Sequence, residues 1–153
     1  MIARIRATTE RRPLTANCGP PAPNAERREE IIAYNFPRMI ASGARVVLGT
    51  DTGVEPGHTF GSGAHVELAR WAQLGLTPSQ AIVAATQRPA EMMGLADTGT
   101  LAVGKRADFI VLDANPIENI RNTRRISDVY LGGVKFDREA MVTRWKNSAN
   151  QAR

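Results

Sequence analysis

The residues able to do chemistry cluster in one stretch, ARVVLGTDTGVEPGHTFGSGAH (residues 44–65), which holds Asp51 and both histidines of the chain, His58 and His65. Val46, Val47 and Leu48 run consecutively and stop at Gly49, Thr50 and Asp51. An unbroken apolar run of this kind predicts a strand covered on both faces in a parallel sheet. The carboxyl ends of such strands form the ligand-facing side of α/β sheets and barrels, so a carboxylate there is offered to a ligand. Aspartate also caps turns through its own side chain, and the pattern alone leaves both readings open. An open three-ligand zinc site from Asp51, His58 and His65 is chemically allowed. The glycine-rich loop, however, gives none of the fixed spacing that a helical His-x-x-x-His pair supplies. His58, in EPGHTFG, is a candidate for substrate contact or lid closure, or is a solvated loop histidine. His65 opens a helix and reads as a packing residue there, with Glu67 favourably placed near the same helix start.

The elements that must position these residues follow from periodicity and punctuation. Residues 1–23 mix charges with Pro13, Pro20, Pro21 and Pro23 and keep no period, which predicts a loop or disordered arm. Residues 24–98 read as helix, strand, helix, helix. NAERREEIIAYNFPRMIASG has a cap-type Asn24, early acidic residues and a Gly43 stop, with Pro37 expected to bend or loosen it. After the strand and loop come AHVELARWAQLG, then TPSQAIVAATQ with Thr77 as cap and Pro78 in the first turn, then a short piece ending at Gly94. Residues 99–136 predict short strands around Phe109–Leu112 and Asp128–Leu131, turned at Gly132-Gly133 into VKF. Phe109, Val111, Val129 and Leu131 are expected to be more buried than Asp108 and Asp128, and Trp71 and Trp145 to pack inside. Residues 137–153 predict a helix that frays into a polar tail.

The 153 residues suit one domain of ordinary size. One cysteine, Cys18, makes no internal disulfide, and no long apolar span or signal-type leader stands out, so a cytoplasmic location without membrane insertion is expected. The net charge of +5 comes from scattered basic pairs such as Arg27-Arg28 and Arg124-Arg125 rather than one run with interleaved aromatics, which argues against nucleic-acid binding.

The order VVLGTDTG, HVELARWAQLGLTPSQAIVAATQRPAEMMGL, GTLAVGKRADFIVLDANPIENI resembles the C-terminal part of the metal-dependent amidohydrolase superfamily, and within it the imidazolonepropionase-like and Xaa-Pro-dipeptidase-like members. The likeness spans residues 24–140, and the block from Gly99 to Asp113 is its most specific part. It implies an α/β chain: the C-terminal fragment of a (β/α)8 TIM barrel plus the returning strands of a small β domain, with RVVLGTD as the eighth barrel strand. By that resemblance Asp51 binds a divalent metal, zinc being expected, and accepts the proton of the attacking water. The resemblance also calls for a His-x-His pair and further ligands from earlier strands, and neither His58 nor His65 matches them.

A TIM barrel takes about 250 residues. The resemblance therefore implies a partial architecture acting on small amide or dipeptide substrates only with its remaining barrel, holding no metal and being inactive alone. The alternative is a non-catalytic module for assembly or small-ligand binding. An interrupted barrel exposes strand edges and apolar helix faces, so association with the missing barrel portion or self-association is expected.

Overall fold

The computed structural model describes residues 24–52 and 60–151. The first helix, α1 (Ala25–Ala41), begins after Asn24 and ends where Gly43 adopts φ 83°. Glu26 in its first turn and Arg38 in its last complement the helix dipole. Pro37 lies inside α1, which runs continuously past it. Asn24 caps through its backbone rather than its side chain: its carbonyl accepts the Arg28 N–H at 3.0 Å, and its own φ is 75°.

Residues 44–50 carry no strand, contrary to the sequence expectation. A strand is defined by its ladder, and no other strand lies beside Val46–Leu48 among the described residues. The Leu48 N–H instead donates to the Ala84 carbonyl at 3.0 Å, tying this apolar run to a helix. Three helices follow: α2 (Gly63–Gln73), α3 (Pro78–Ala85) and α4 (Gln87–Met92). Thr77 starts α3 as expected. Its hydroxyl accepts the Gln80 N–H at 3.2 Å while the Gln80 side chain takes the Thr77 N–H at 2.9 Å, so two otherwise orphaned donors are satisfied.

The core sits between α2, α3 and a 3-10 helix at Ile120–Arg124. Leu68, Trp71, Leu76, Ala81, Ala84 and Ile120 are buried there, with Phe36, Ile40, Val46 and Leu48 packed against them. Removing a leucine side chain of this kind from water contributes about 1.5–3 kcal/mol. The apolar run before Asp51 is therefore anchored by packing even though it joins no sheet. Phe36 of α1 meets Trp71 with ring centroids 6.0 Å apart.

The remaining strands form one antiparallel sheet, β1 (Phe109–Leu112), β2 (Ile126–Leu131) and β3 (Val134–Lys135), in the order β1-β2-β3. Phe109 stands opposite Tyr130 and their rings stack at 4.5 Å; a register shift falls between Val111 and Leu112. The expected burial order fails at Val111 and Leu131, while Phe109 and Val129 are half-buried like the two aspartates. Val111 and Leu131 are exposed, whereas Asp108 and Asp128 are half-buried. The sheet is narrow, and both aspartates are folded onto partners, Asp128 onto Lys135 at 2.6 Å and Asp108 onto Arg106 at 2.8 Å. The last helix, α5 (Arg138–Gln151), leaves Trp145 70% exposed, so Trp145 is a surface residue and not the packing residue expected. No helix among the described residues is long and apolar enough to cross a membrane.

Candidate catalytic carboxylate

Asp51 follows the anchored run Val46–Thr50 and takes φ 49°, one of two described non-glycine residues at positive φ. An L-residue reaches this region only at a cost of about 1–2 kcal/mol, which short polar side chains tolerate best. The residues on either side clasp each other: the Thr50 and Thr52 hydroxyls are hydrogen-bonded at 2.6 Å across Asp51. The first residue of α2 closes on that clasp. A Cβ on Gly63 would lie 2.8 Å from Thr52 Oγ1 and 3.5 Å from Thr50 Cβ, so glycine is what allows the helix to start there. Asp51 itself is exposed, and its carboxylate takes no hydrogen bond or ion pair from another described residue. The outcome is a carboxylate held by its backbone and, among the described residues, left without a partner at its oxygens.

His65 lies in the first turn of α2, half-buried, with Nδ1 3.1 Å from the Thr123 hydroxyl. Thr123 is buried, and its hydroxyl donates to the Ile120 carbonyl at 2.8 Å. That hydroxyl has one proton and has spent it, so His65 Nδ1 carries the proton of the shared bond and Nε2 keeps its lone pair. Burial holds the His65 pKa below its ordinary value, and the nearby Arg124 guanidinium lowers it further. The packing role expected for His65 is thus realised, with a polar partner that sequence reading did not supply. His58 lies in 53–59, outside the described residues.

Among the described residues no three His, Cys, Asp or Glu side chains come together as a metal ion would require. Asp51 is one donor, and His65 Nδ1 is committed to Thr123. These residues do not by themselves fit a zinc centre. A surface hollow of about 430 Å³ opens elsewhere, between α4 and the turn through Thr98 and Lys105, and neither Asp51 nor His65 lines it.

Thr50, Thr52, Gly63 and Thr123 were not singled out as site residues from the sequence. The threonines flanking Asp51 were the one available signal, since a hydroxyl on each side of a bend can close it. Thr123 gave none, lying 58 residues from its partner.

This arrangement of helices and a returning antiparallel sheet is similar to part of several solved hydrolase structures. The amidohydrolase family model matches residues 4–136, and the chain belongs to that family. It is 36% identical over 103 residues to the imidazolonepropionase of Deinococcus radiodurans, a match covering 65% of this chain and 25% of that protein. Among solved structures, phenylurea hydrolase B is similar at a TM-score of 0.65 and 32% identity, over 70% of this chain and 27% of the other. A Xaa-Pro dipeptidase with bound methionine in its active site is similar at a TM-score of 0.62 and 29% identity, over 69% and 25%. The chain thus spans about a quarter of the length of these relatives.

Proposed function

We propose that this chain is the C-terminal portion of an amidohydrolase-family hydrolase that breaks the C–N bond of an amide, cyclic amide or dipeptide-like substrate, with Asp51 as its proton-transferring carboxylate. The relatives' names support the substrate class, since they describe an imidazolonepropionase, a phenylurea hydrolase and a Xaa-Pro dipeptidase. The observation that carries the role of Asp51 is its own geometry: left-handed backbone, threonine clasp, and a carboxylate exposed and without a partner among the described residues.

The steps follow from that atom. A carboxylate oxygen of Asp51 takes a proton from the attacking water as its oxygen bonds to the substrate carbonyl carbon. The same proton then goes to the leaving nitrogen as the C–N bond breaks, so an acid and an amine depart and Asp51 is ionised again. A divalent metal, expected to be zinc, would lower the pKa of the water in the complete family fold. The described residues do not make its donor set, and no step here is routed through it. On this reading the chain alone is inactive, and it works with the rest of a barrel. A second reading, a non-catalytic module for assembly or small-ligand binding, draws support from exposed Ile31, Ile32 and Tyr34 on α1.

The test joins the chain to an upstream amidohydrolase barrel portion, fused or as a second polypeptide, and measures amide turnover with saturating metal. Asp51→Asn keeps size and removes the proton acceptor. Turnover falls about 100- to 10,000-fold, the usual worth of general-base assistance. Asp97→Asn and Asp113→Asn, both at exposed positions of the turn and sheet region, leave it unchanged. Near-normal turnover with Asp51→Asn removes the assignment.

A further inference from the structure

We infer that His65 is the positioning residue for Asp51: its bond to Thr123 latches the first turn of α2 against the Thr50–Thr52 clasp and so fixes the carboxylate between them. The inference rests on the reading of Asp51 given above and adds the device that holds it. Contact is continuous from one end to the other. The Ile120 carbonyl accepts from Thr123, whose oxygen accepts from His65 Nδ1. Two residues before His65, Gly63 leaves no room for even a methyl group against Thr52. Thr52 bonds to Thr50 across Asp51.

The run before Asp51 is anchored by the packing of Val46 and Leu48, and what remains to be held is the bend itself. The Asp51 carboxylate has no partner among the described residues, and the apolar run before it makes one backbone hydrogen bond, at Leu48, between Arg45 and Thr50. The position of the bend is therefore set from both sides, by the packed run before Asp51 and by the start of α2 after it. The α2 side is fixed by buried Leu68 and Trp71 and, at its first turn, by the polar tie from His65 to Thr123. The 3-10 helix that carries Thr123 leads directly into β2 (Ile126–Leu131), so the small sheet and the carboxylate are mechanically joined. The tautomer belongs to the device. A proton on Nδ1 is required for the tie, and Nε2 is left without one.

The test uses the full chain, labelled for NMR. In the wild type the imidazole ¹⁵N resonances show Nδ1 protonated and Nε2 bare; the reverse pattern overturns the proposal without any variant. Thr123→Val removes the acceptor and keeps the shape, and His65→Leu removes the donor. In each, amide exchange at Val66, whose N–H donates to the Ser62 carbonyl in the first turn of α2, rises about fivefold, the equivalent of one net hydrogen bond, and the Asp51 carboxyl ¹³C resonance moves. His65→Asn, whose side-chain amide can donate from the position of Nδ1, restores both towards wild type. A structural histidine that merely fills space would be replaced better by Leu than by Asn. Unchanged exchange and an unchanged Asp51 resonance in Thr123→Val overturn the latch. Failure of Asp51→Asn to slow turnover would remove the catalytic reading and leave the latch standing, since its readouts need no activity.

Discussion

The carboxylate of Asp108 accepts the backbone N–H of Gly132 at 2.6 Å, which pins the β2–β3 turn onto the residue just before β1. Beside it the Gly133 N–H donates to the Ala107 carbonyl at 2.9 Å. The Gly-Lys-Arg-Ala-Asp sequence is therefore a clamp on the double-glycine turn, and the acidic residue is its jaw.

Asp108→Ala should cost about 1–2 kcal/mol, at the low end for a charge-assisted bond because the side chain is partly exposed. Asp108→Asn keeps an acceptor oxygen and should lose less. Urea unfolding of the three proteins gives the comparison; equal midpoints would mean that the bond does not hold the turn.

Gly99 allows a second close approach. A Cβ there would sit 2.6 Å from the Ala90 Cβ and 2.8 Å from the Thr86 carbonyl oxygen, at φ 80°. Gly99→Ala should destabilise by about 1–3 kcal/mol through overpacking, with left-handed strain added. Gly43→Ala, where open space surrounds the missing Cβ, is the control for backbone strain alone. Thermal melts in which both lose the same would remove the packing argument.

Helix ends were the most legible part of the chain, because Thr77, Pro78 and Gly43 act through bonds a few residues long. The antiparallel sheet was legible for the same reason, since Gly132-Gly133 fixes its turn locally. Sequence reading failed where an outcome depends on distant partners. Val46–Leu48 has the composition of a buried strand and finds a helix as its neighbour. Val111 and Leu131 stay exposed because a three-stranded sheet lacks the cover that would bury them. At the site, Asp51 was visible as a carboxylate ending an apolar run, while its left-handed backbone and the His65–Thr123 tie arise only in three dimensions.

The His65 environment makes stability depend on pH. Burial and the Arg124 charge lower its pKa from the ordinary 6.5, so the unfolded chain binds this proton more readily than the folded one. The contribution is whole above pH 6.5 and is lost as pH falls below that value towards the folded-state pKa. Chemical unfolding at pH 7.5 and pH 5.5, compared between wild type and His65→Asn, isolates the term from that of His58. A slope of equal size in both would remove His65 as its source.

The two tryptophans report on different surroundings. Trp71 is 6% and Trp145 70% exposed. Trp145→Phe should shift the emission maximum to the blue, because only the buried indole remains, and should change stability little. Trp71→Ala should cost about 3–5 kcal/mol as a large core truncation. Red-shifted emission from the native Trp145→Phe protein would contradict the core described.

The tie between His65 and Thr123 joins residues 58 positions apart, and Ile120 completes the same core as Leu68 and Trp71. During synthesis α2 and α3 leave the ribosome well before the segment that seals them. At about 5–20 residues per second that interval is several seconds. Through it the nascent chain presents the Trp71 face without the cover of Ile120, so this core closes only once both halves of the described chain are made.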